Sequence, residues 1–335
     1  MSDVASDSGV SLQTVSNVIN HPERVKPSTR ARVLTTIDRL GFTLNANARS
    51  LAVGASDTIG LVLLTLNNGL FIDISRGAHR EASRRNLKLL LTDSDDDEAM
   101  QLEHLRFLDS VRVGGVILTP ASDPSKSMQP FIQHGIPVIL ANYNPHSNEG
   151  CAVLVDNEQV GYLAARHLID LGRKHLALVT GREALQPVQD RRTGFRRAIA
   201  EEGGRITSTE LHTGEDLRIL GGQRVGLQIA CMDPTDRPDG IIAVTDLLAM
   251  AIIGELSNAG LDVPGDISVM GCDYDSGAWG GAIPLTTVRM MGEETGVEAL
   301  RLLEDELTNP HHQHRTVLLT PTLEARESTV GRARR

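Results

Sequence analysis

Aromatic residues are nearly missing from this chain. Of 335 residues, one is Trp, three are Tyr and five are Phe, so the core has to rest on Leu, Val, Ile and Ala. Cysteine is scarce too. Cys151, Cys231 and Cys272 lie far apart, each in or near an apolar run, with neither a disulfide framework nor metal-ligand spacing. They are expected to be buried free thiols in a reducing compartment. No apolar run approaches the ~18 residues that indicate a membrane span, and no secretory leader is visible, so a cytoplasmic protein is expected. Enzymatic signatures are missing as well: no activated-serine elbow, no Cys–His nucleophile motif, no zinc pattern. Ile59-Gly60-Leu61-Val62 carries no dinucleotide fingerprint, and Gly221-Gly222-Gln223-Arg224-Val225-Gly226 lacks the lysine and hydroxyl of a phosphate loop. No catalysis, cofactor or metal is expected.

Basic charge is also short overall. The formal net charge is −10, which argues against a chain coated for nucleic acid. Its distribution is uneven: residues 1–55 carry six basic and four acidic side chains, while the remainder nets −12. A mildly basic head on an acidic body fits a head that meets phosphates and a body that does not.

What is present begins at the N-terminus. Asp3-Val4-Ala5-Ser6-Asp7-Ser8-Gly9 reads as a short helix and a glycine turn. Val10 to Asn20 reads as a second helix with Ser11 as its cap, whose oxygen can accept the free N–H groups of the first turn. Val4, Ala5, Val10, Val15, Val18 and Ile19 can form an apolar face, leaving Gln13, Thr14, Ser16 and Asn17 outward. Two short helices joined through glycine, the second one polar, make a helix-turn-helix. Amide and hydroxyl side chains on such a helix suit base edges and phosphates in a major groove. Ser28 to Leu40 follows as a third helix, with Val33, Leu34, Ile37 and Leu40 at helical spacing. The stretch Asn45 to Gly54 is alanine-rich and helix-capable but too short to be stable alone.

From Thr58 the pattern turns to alternating strands and helices, roughly twice over. Strands are read at 59–64, 87–91, 116–118, 136–140 and 152–155, then at 176–179, 241–244 and 267–271. Helices between them include 71–85, 98–111, 159–171, 192–202, 223–231 and 247–259, with 293–307 and an extended stretch 315–322 in the tail. This is a parallel α/β pattern. Such sheets bind ligands at the carboxyl ends of their strands, and a cleft between two lobes is a natural site. The acidic run Asp93 to Glu98 lacks the spacing of a calcium loop and reads as carboxylates capping a helix near Glu98. His311-His312-Gln313-His314 follows Asn309-Pro310 and reads as a solvated loop.

These segments carry a resemblance. Asp3-Val4-Ala5, Gly9-Val10-Ser11, Thr14-Val15-Ser16, Val18-Ile19-Asn20, Arg39-Leu40-Gly41-Phe42 and Asn45 to Leu51 are similar to the head and hinge of the lactose/galactose-repressor (LacI/GalR) family of bacterial transcription regulators. So, in the body, are Thr58 to Val62, Val155-Asp156-Asn157, Gly194-Phe195, Asp246, Val263 to Val269 and Pro284 to Val288. The resemblance implies a helix-turn-helix head over 1–44, a hinge helix and linker over 45–57, and a two-lobed body over 58–335 like periplasmic sugar-binding proteins. The first lobe would span about 58–156 plus 286–317, and the second about 157–285 plus 318–330. The family also implies a homodimer on a near-palindromic operator, acting at the nucleoid, and a small effector, a sugar or sugar derivative, in the interlobe cleft.

Carried over by position, Leu12, Gln13 and Asn17 fall where the family reads the major groove, and Thr14 and Ser16 where it touches the backbone. Asn20 and Ala48 join the DNA-facing set, and Leu51 matches the leucine that wedges into the minor groove. Phe71, Arg191, Thr245 and Asp273 align with effector-contacting positions. Asn17 stands where the family commonly has arginine, which exchanges a grip on guanine for one suited to adenine. The resulting expectation is a ligand-responsive repressor of a carbohydrate-utilisation operon. The alternatives are a solute-binding protein without a DNA role, which the head opposes, and a doubly wound enzyme, which the missing fingerprint opposes.

Overall fold

The computed structural model describes residues 1–41, 56–145, 150–214, 216–273 and 283–331. It divides into two compact units, Met1–Asp57 and Thr58–Arg335. The proposed hinge residues Ala48 and Leu51 lie outside the described residues.

Among the described residues, the first unit holds the helices Ser2–Ser8, Leu12–Asn20 and Pro27–Leu40, with a 3-10 turn at Pro22–Arg24. Gly9 ends the first helix at φ 63°, a left-handed conformation that costs a side-chain-bearing residue about 1–2 kcal/mol. The Ser11 hydroxyl then accepts the Thr14 N–H at 3.1 Å, a cap worth about 1 kcal/mol. Val4, Val15 and Val33 are fully buried, with Ala5 and Val18, and Val10, Ile19 and Ile37 pack against them. Leu34 and Leu40, expected on the inner face of the third helix, are exposed instead. The inward stripe is Val33, Thr36 and Ile37; at about 100° per residue Leu34 falls outside it, whereas Leu40 is in line with it but is the last residue of the helix. An Arg39–Asp7 ion pair ties the third helix to the first.

The body holds two parallel sheets. Its strands are β1 (Thr58–Leu63), β2 (Lys88–Asp93), β3 (Gly115–Leu118), β4 (Val138–Ala141), β5 (Ala152–Val155), β6 (His175–Thr180), β7 (Thr207–His212), β8 (Gly240–Ala243), β9 (Ser268–Asp273), β10 (Thr286–Arg289), β11 (Thr316–Leu319) and β12 (Thr322–Glu324). One sheet has the order β11-β5-β4-β3-β1-β2, the other β12-β10-β9-β8-β6-β7. Only the β10–β12 pairing is antiparallel among the described strands. The central strands are short aliphatic runs buried on both faces, as β3, β4 and β8 are throughout, because helices cover both sides of a parallel sheet.

The chain crosses between the lobes three times: after β5, after β10 and after β11. This corrects the lobe boundaries. Strand β10 pairs with β9 in the second sheet, so residues 286–289 belong to the second lobe. The stretch 315–322 is not one strand but two, one in each sheet. Two elements were not legible. Strand β7 is an edge strand with mostly polar residues, and the helix Ser125–Gln133 contains Pro130, which argues against a helix locally. The expected burial of the cysteines holds for Cys151 and Cys272 only. Cys231, at the end of the helix Ile219–Ala230, is exposed.

Candidate functional site

In the head, the helix Leu12–Asn20 presents Leu12, 55% exposed, and Gln13 to solvent. Thr14, Ser16 and Asn17 are half-buried on its flank. The Gln13 amide Nε2 donates to Asn17 Oδ1 at 3.3 Å, so two of the residues expected to read bases are one turn apart and already hydrogen-bonded. Such a pair is oriented before it meets DNA. The Thr14 hydroxyl lies 2.9 Å from Ser11 Oγ, within the helix cap rather than free of it.

In the body, a cleft of about 700 Å³, its open mouth included, lies between the lobes. The structure brings Phe71, Arg191, Thr245 and Asp273 together in its wall. Phe71, Thr245 and Asp273 sit where a strand ends or a helix begins, and Arg191 in the second turn of the helix Gln186–Glu201. Phe71 enters from the first turn of the helix Gly69–Arg84, with its ring largely in the core. Thr245 caps the helix Asp246–Asn258: its hydroxyl accepts the Leu248 N–H at 3.3 Å and donates to the Leu217 carbonyl at 3.1 Å. Its donor is therefore committed to the fold.

Arg191 is 4% exposed, and a buried guanidinium needs acceptors on most of its N–H groups. It has them. Nε donates to Asn157 Oδ1 at 3.0 Å, and Nη1 to the carbonyls of Val244 and of Cys272, the latter at 2.9 Å. Asp273 Oδ1 is 3.5 Å from Nη1. Nη2 has only the Met290 sulfur at 3.7 Å among the described residues, a weak acceptor. The helix Gln186–Glu201 that carries Arg191 packs closely on Asn157–Asp170. A Cβ at Gly161 would overlap the Arg191 carbonyl oxygen, and one at Gly194 that of Glu158. Those two glycines set how deeply Arg191 is inserted.

Asp273 is fully enclosed. Burial pushes its carboxyl up to about 6, against the pull of Arg191 and of an Asn68 hydrogen bond. Asn68 Nδ2 donates to Asp273 Oδ2 at 2.7 Å, while Asn68 Oδ1 accepts the Leu70 N–H at 2.8 Å and so caps the helix Gly69–Arg84. On the other side, Asn157 Nδ2 donates to Asn142 Oδ1 at 3.0 Å. A continuous polar chain therefore runs from Asn142 of the first lobe through Asn157 at a crossover, Arg191 and Asp273 of the second lobe, and back to Asn68 of the first. Asn68, Asn142 and Asn157 were not among the expected site residues. Asn157 follows Val155-Asp156 in a recognisable segment, but its partner Arg191 is 34 residues away.

A second set of contacts spans the cleft mouth. Asp97 caps the helix Glu98–Ser110 as expected, accepting the N–H groups of Ala99 and Met100 at 2.7 and 3.1 Å. Asp95 and Asp96 do something else. Arg182 meets Asp96 at 2.8 Å, and Arg218 meets Asp96 at 2.9 Å and Asp95 at 2.6 Å. Two second-lobe arginines thus hold one first-lobe loop. The histidine loop also departs from expectation. His312 is not solvated: its side chain is 6% exposed, because pairing of β11 with β5 folds the loop onto Cys151.

Residues 1–45 match the model for bacterial regulatory proteins of the lacI family, and residues 165–329 match a periplasmic binding protein-like domain. The HTH-type transcriptional repressor PurR of Photobacterium profundum is 30% identical over 97% of both chains. The Lac repressor dimer bound to operator and the anti-inducer ONPF superposes with a TM-score of 0.82 at 22% identity, over 98% of both chains. The transcriptional regulator CelR in complex with cellobiose matches with a TM-score of 0.72 at 26% identity, over 97% of this chain and 98% of that one. A basic three-helix head and a two-lobed body with a polar interlobe cleft agree with these matches: the chain belongs to the lacI family of bacterial regulatory proteins, and is a DNA-binding transcriptional repressor with a ligand-binding effector domain.

Proposed function

We propose that the interlobe cleft takes a sugar or sugar derivative, and that its occupancy sets operator affinity through residues 45–57. The observation that carries this is the half-used guanidinium of Arg191. Arg191 lines the cleft, its Nη2 has only a sulfur as acceptor among the described residues, and it lies next to the Asp273 carboxyl, which also takes the amide of Asn68. A fork donor beside a carboxylate and an amide can bracket vicinal hydroxyls, while Phe71, the sole aromatic ring among the described residues of the wall, covers one apolar face. Binding rather than catalysis is the chemistry assigned to the cleft. The CelR structure with cellobiose is the relative whose stated ligand supports this class.

In the head, Leu12, Gln13 and Asn17 read base edges, Thr14 and Ser16 hold phosphates, and Asn20 belongs to the same DNA-facing set. Ala48 and Leu51 meet the minor groove, where an apolar wedge unstacks a base step at a cost of a few kcal/mol recovered through added contacts. The protein acts as a homodimer on a near-palindromic operator in the cytoplasm, one head per half-site. Lobe closure alters how the two hinge segments meet, and the coupling between sites is about 1–3 kcal/mol. A thermal-shift screen of sugars and sugar acids against the full chain tests the reading, because a ligand that binds the native state raises its melting temperature. A sugar that stabilises the wild type but not Arg191→Met supports it. Stabilisation by nucleobases alone overturns the sugar assignment.

A further inference from the structure

The tail loop and the edge of the first sheet bring together four side chains that the effector cleft does not use. Cys151 stands immediately before β5 and is fully buried. Its Sγ lies 3.2 Å from His312 Nε2. Glu306, in the last turn of the helix Gly292–Thr308, places Oε2 3.6 Å from the same nitrogen. That carboxylate oxygen is buried and makes no hydrogen bond among the described residues. Glu306 Oε1 is 3.4 Å from His314 Nε2. The ligating atoms of Cys151, Glu306 and His312 all lie within 4.8 Å of one another.

We propose that Cys151, Glu306, His312 and His314 form a binding site for a divalent transition-metal ion of the zinc type. The Cys151–His312 and His312–Glu306 separations fit: with bonds of about 2.0–2.3 Å, a tetrahedral centre sets neighbouring ligand atoms about 3.3–3.8 Å apart, and His314, beside the other oxygen of Glu306, would supply the fourth ligand. The donor set of one thiolate, two imidazoles and one carboxylate is that of a borderline-soft ion rather than of calcium or magnesium. The surroundings are arranged in the same sense. His312 Nδ1 is 2.8 Å from Asp305 Oδ2, which fixes the proton on Nδ1 and turns the Nε2 lone pair toward Cys151 and Glu306. Asp305 is itself held by Asn309 at 3.0 Å and Arg315 at 3.1 Å. The Arg315 backbone N–H points at Cys151 Sγ from 3.4 Å, as amides do around metal-bound thiolates. A carboxylate behind a ligating histidine is the usual outer partner of such an ion.

Binding expels the thiol proton to solvent. The resulting centre holds a dication, one thiolate and one carboxylate, so it is neutral and can be buried without a counter-ion. It would also join the end of the helix Gly292–Thr308, the start of β5 and the lead-in to β11, just before the chain's last crossing between lobes.

The test is a titration of the chelator-stripped full chain with Co²⁺, followed by displacement with Zn²⁺. The expected result is one ion per chain, with the thiolate-to-cobalt charge-transfer band and the intense visible bands of a tetrahedral site. The charge-transfer band disappears in Cys151→Ser and is unchanged in Cys231→Ser. Asp305→Asn, which acts through His312, weakens affinity by about 10–100-fold with the band position kept. His314→Ala, at a half-exposed position, keeps the fold and changes the visible bands through loss of one ligand. A wild-type chain without a thiolate band at saturating Co²⁺, or a band that survives in Cys151→Ser, overturns the proposal and leaves Cys151 a thiol donating to His312. If Cys151→Ser does not fold, unchanged cobalt spectra and affinity in both His314→Ala and Glu306→Gln overturn it equally.

Discussion

The head and the body place their functional side chains in opposite environments. In the head the residues proposed to read DNA from the helix Leu12–Asn20 are exposed or half-buried, around a core of five buried apolar side chains. In the body the residues proposed to meet the effector come from separate elements, and the charged ones are buried, Arg191 and Asp273 at 4% each. A surface that meets a polyanion can leave its polar groups hydrated until contact. A cleft that grips a small ligand has to hold its polar groups dry and fully oriented beforehand, and each one needs a protein partner. The head can therefore be changed with little effect on stability, whereas the cleft cannot.

The largest test of that contrast is to separate the units. Removal of residues 1–56 should abolish operator binding and leave the affinity for the cleft ligand unchanged. Footprinting and calorimetry on the truncated chain check this, and operator protection by the truncated body would refute the head assignment. Next in size is Arg191→Ala. It strands the Asp273 carboxyl and the Val244 and Cys272 carbonyls, and should cost about 3–5 kcal/mol in denaturant unfolding, with loss of ligand binding.

Gln13→Ala in the head should behave in the opposite way. Its unfolding free energy should stay within about 0.5 kcal/mol of wild type, while discrimination against a changed base falls by about 1–3 kcal/mol. Leu51→Ala should weaken specific binding far more than non-specific binding, and equal loss on both sequences would remove the wedge role.

The smallest effect is one of pH. Asp273 is held up to about 6 by burial, above its unfolded value, so the native state favours the protonated carboxyl. Its contribution to stability is complete below about pH 4 and is lost as pH rises through about 6. Asp273→Asn removes that dependence. The stability of the variant relative to wild type should therefore climb between about pH 4 and 6 and then level off. A flat difference would mean that the carboxyl of Asp273 titrates alike in the folded and unfolded states.

How much of this was legible in the sequence follows the same division. Local signals carried the head: Gly9, the Ser11 cap and the apolar spacing of Val4, Val15 and Val18 all act within a few residues. The strands of the body were legible where both faces are buried, since an aliphatic run such as Ile241-Ile242-Ala243 has no other use. Strand β7 was missed because an edge strand need not be apolar. The four aligned cleft residues do line one cavity, yet nothing in the sequence shows that Thr245 spends its hydroxyl on a helix cap, or that Asn68 and Asn157 complete the network. The Asn157–Arg191 and Asn68–Asp273 bonds join positions 34 and 205 residues apart, beyond any periodicity. The Asp95–Asp96 clasp and the burial of His312 were hidden for the same reason: each depends on which strands become neighbours.

The most direct measurement is the operator affinity of the full chain with and without a sugar that stabilises it, in wild type and in Arg191→Met. The account predicts a ligand-induced change of about 5–150-fold in wild type and none in the variant. A ligand that binds the cleft yet leaves operator affinity unchanged, or a shift that survives in Arg191→Met, would contradict it.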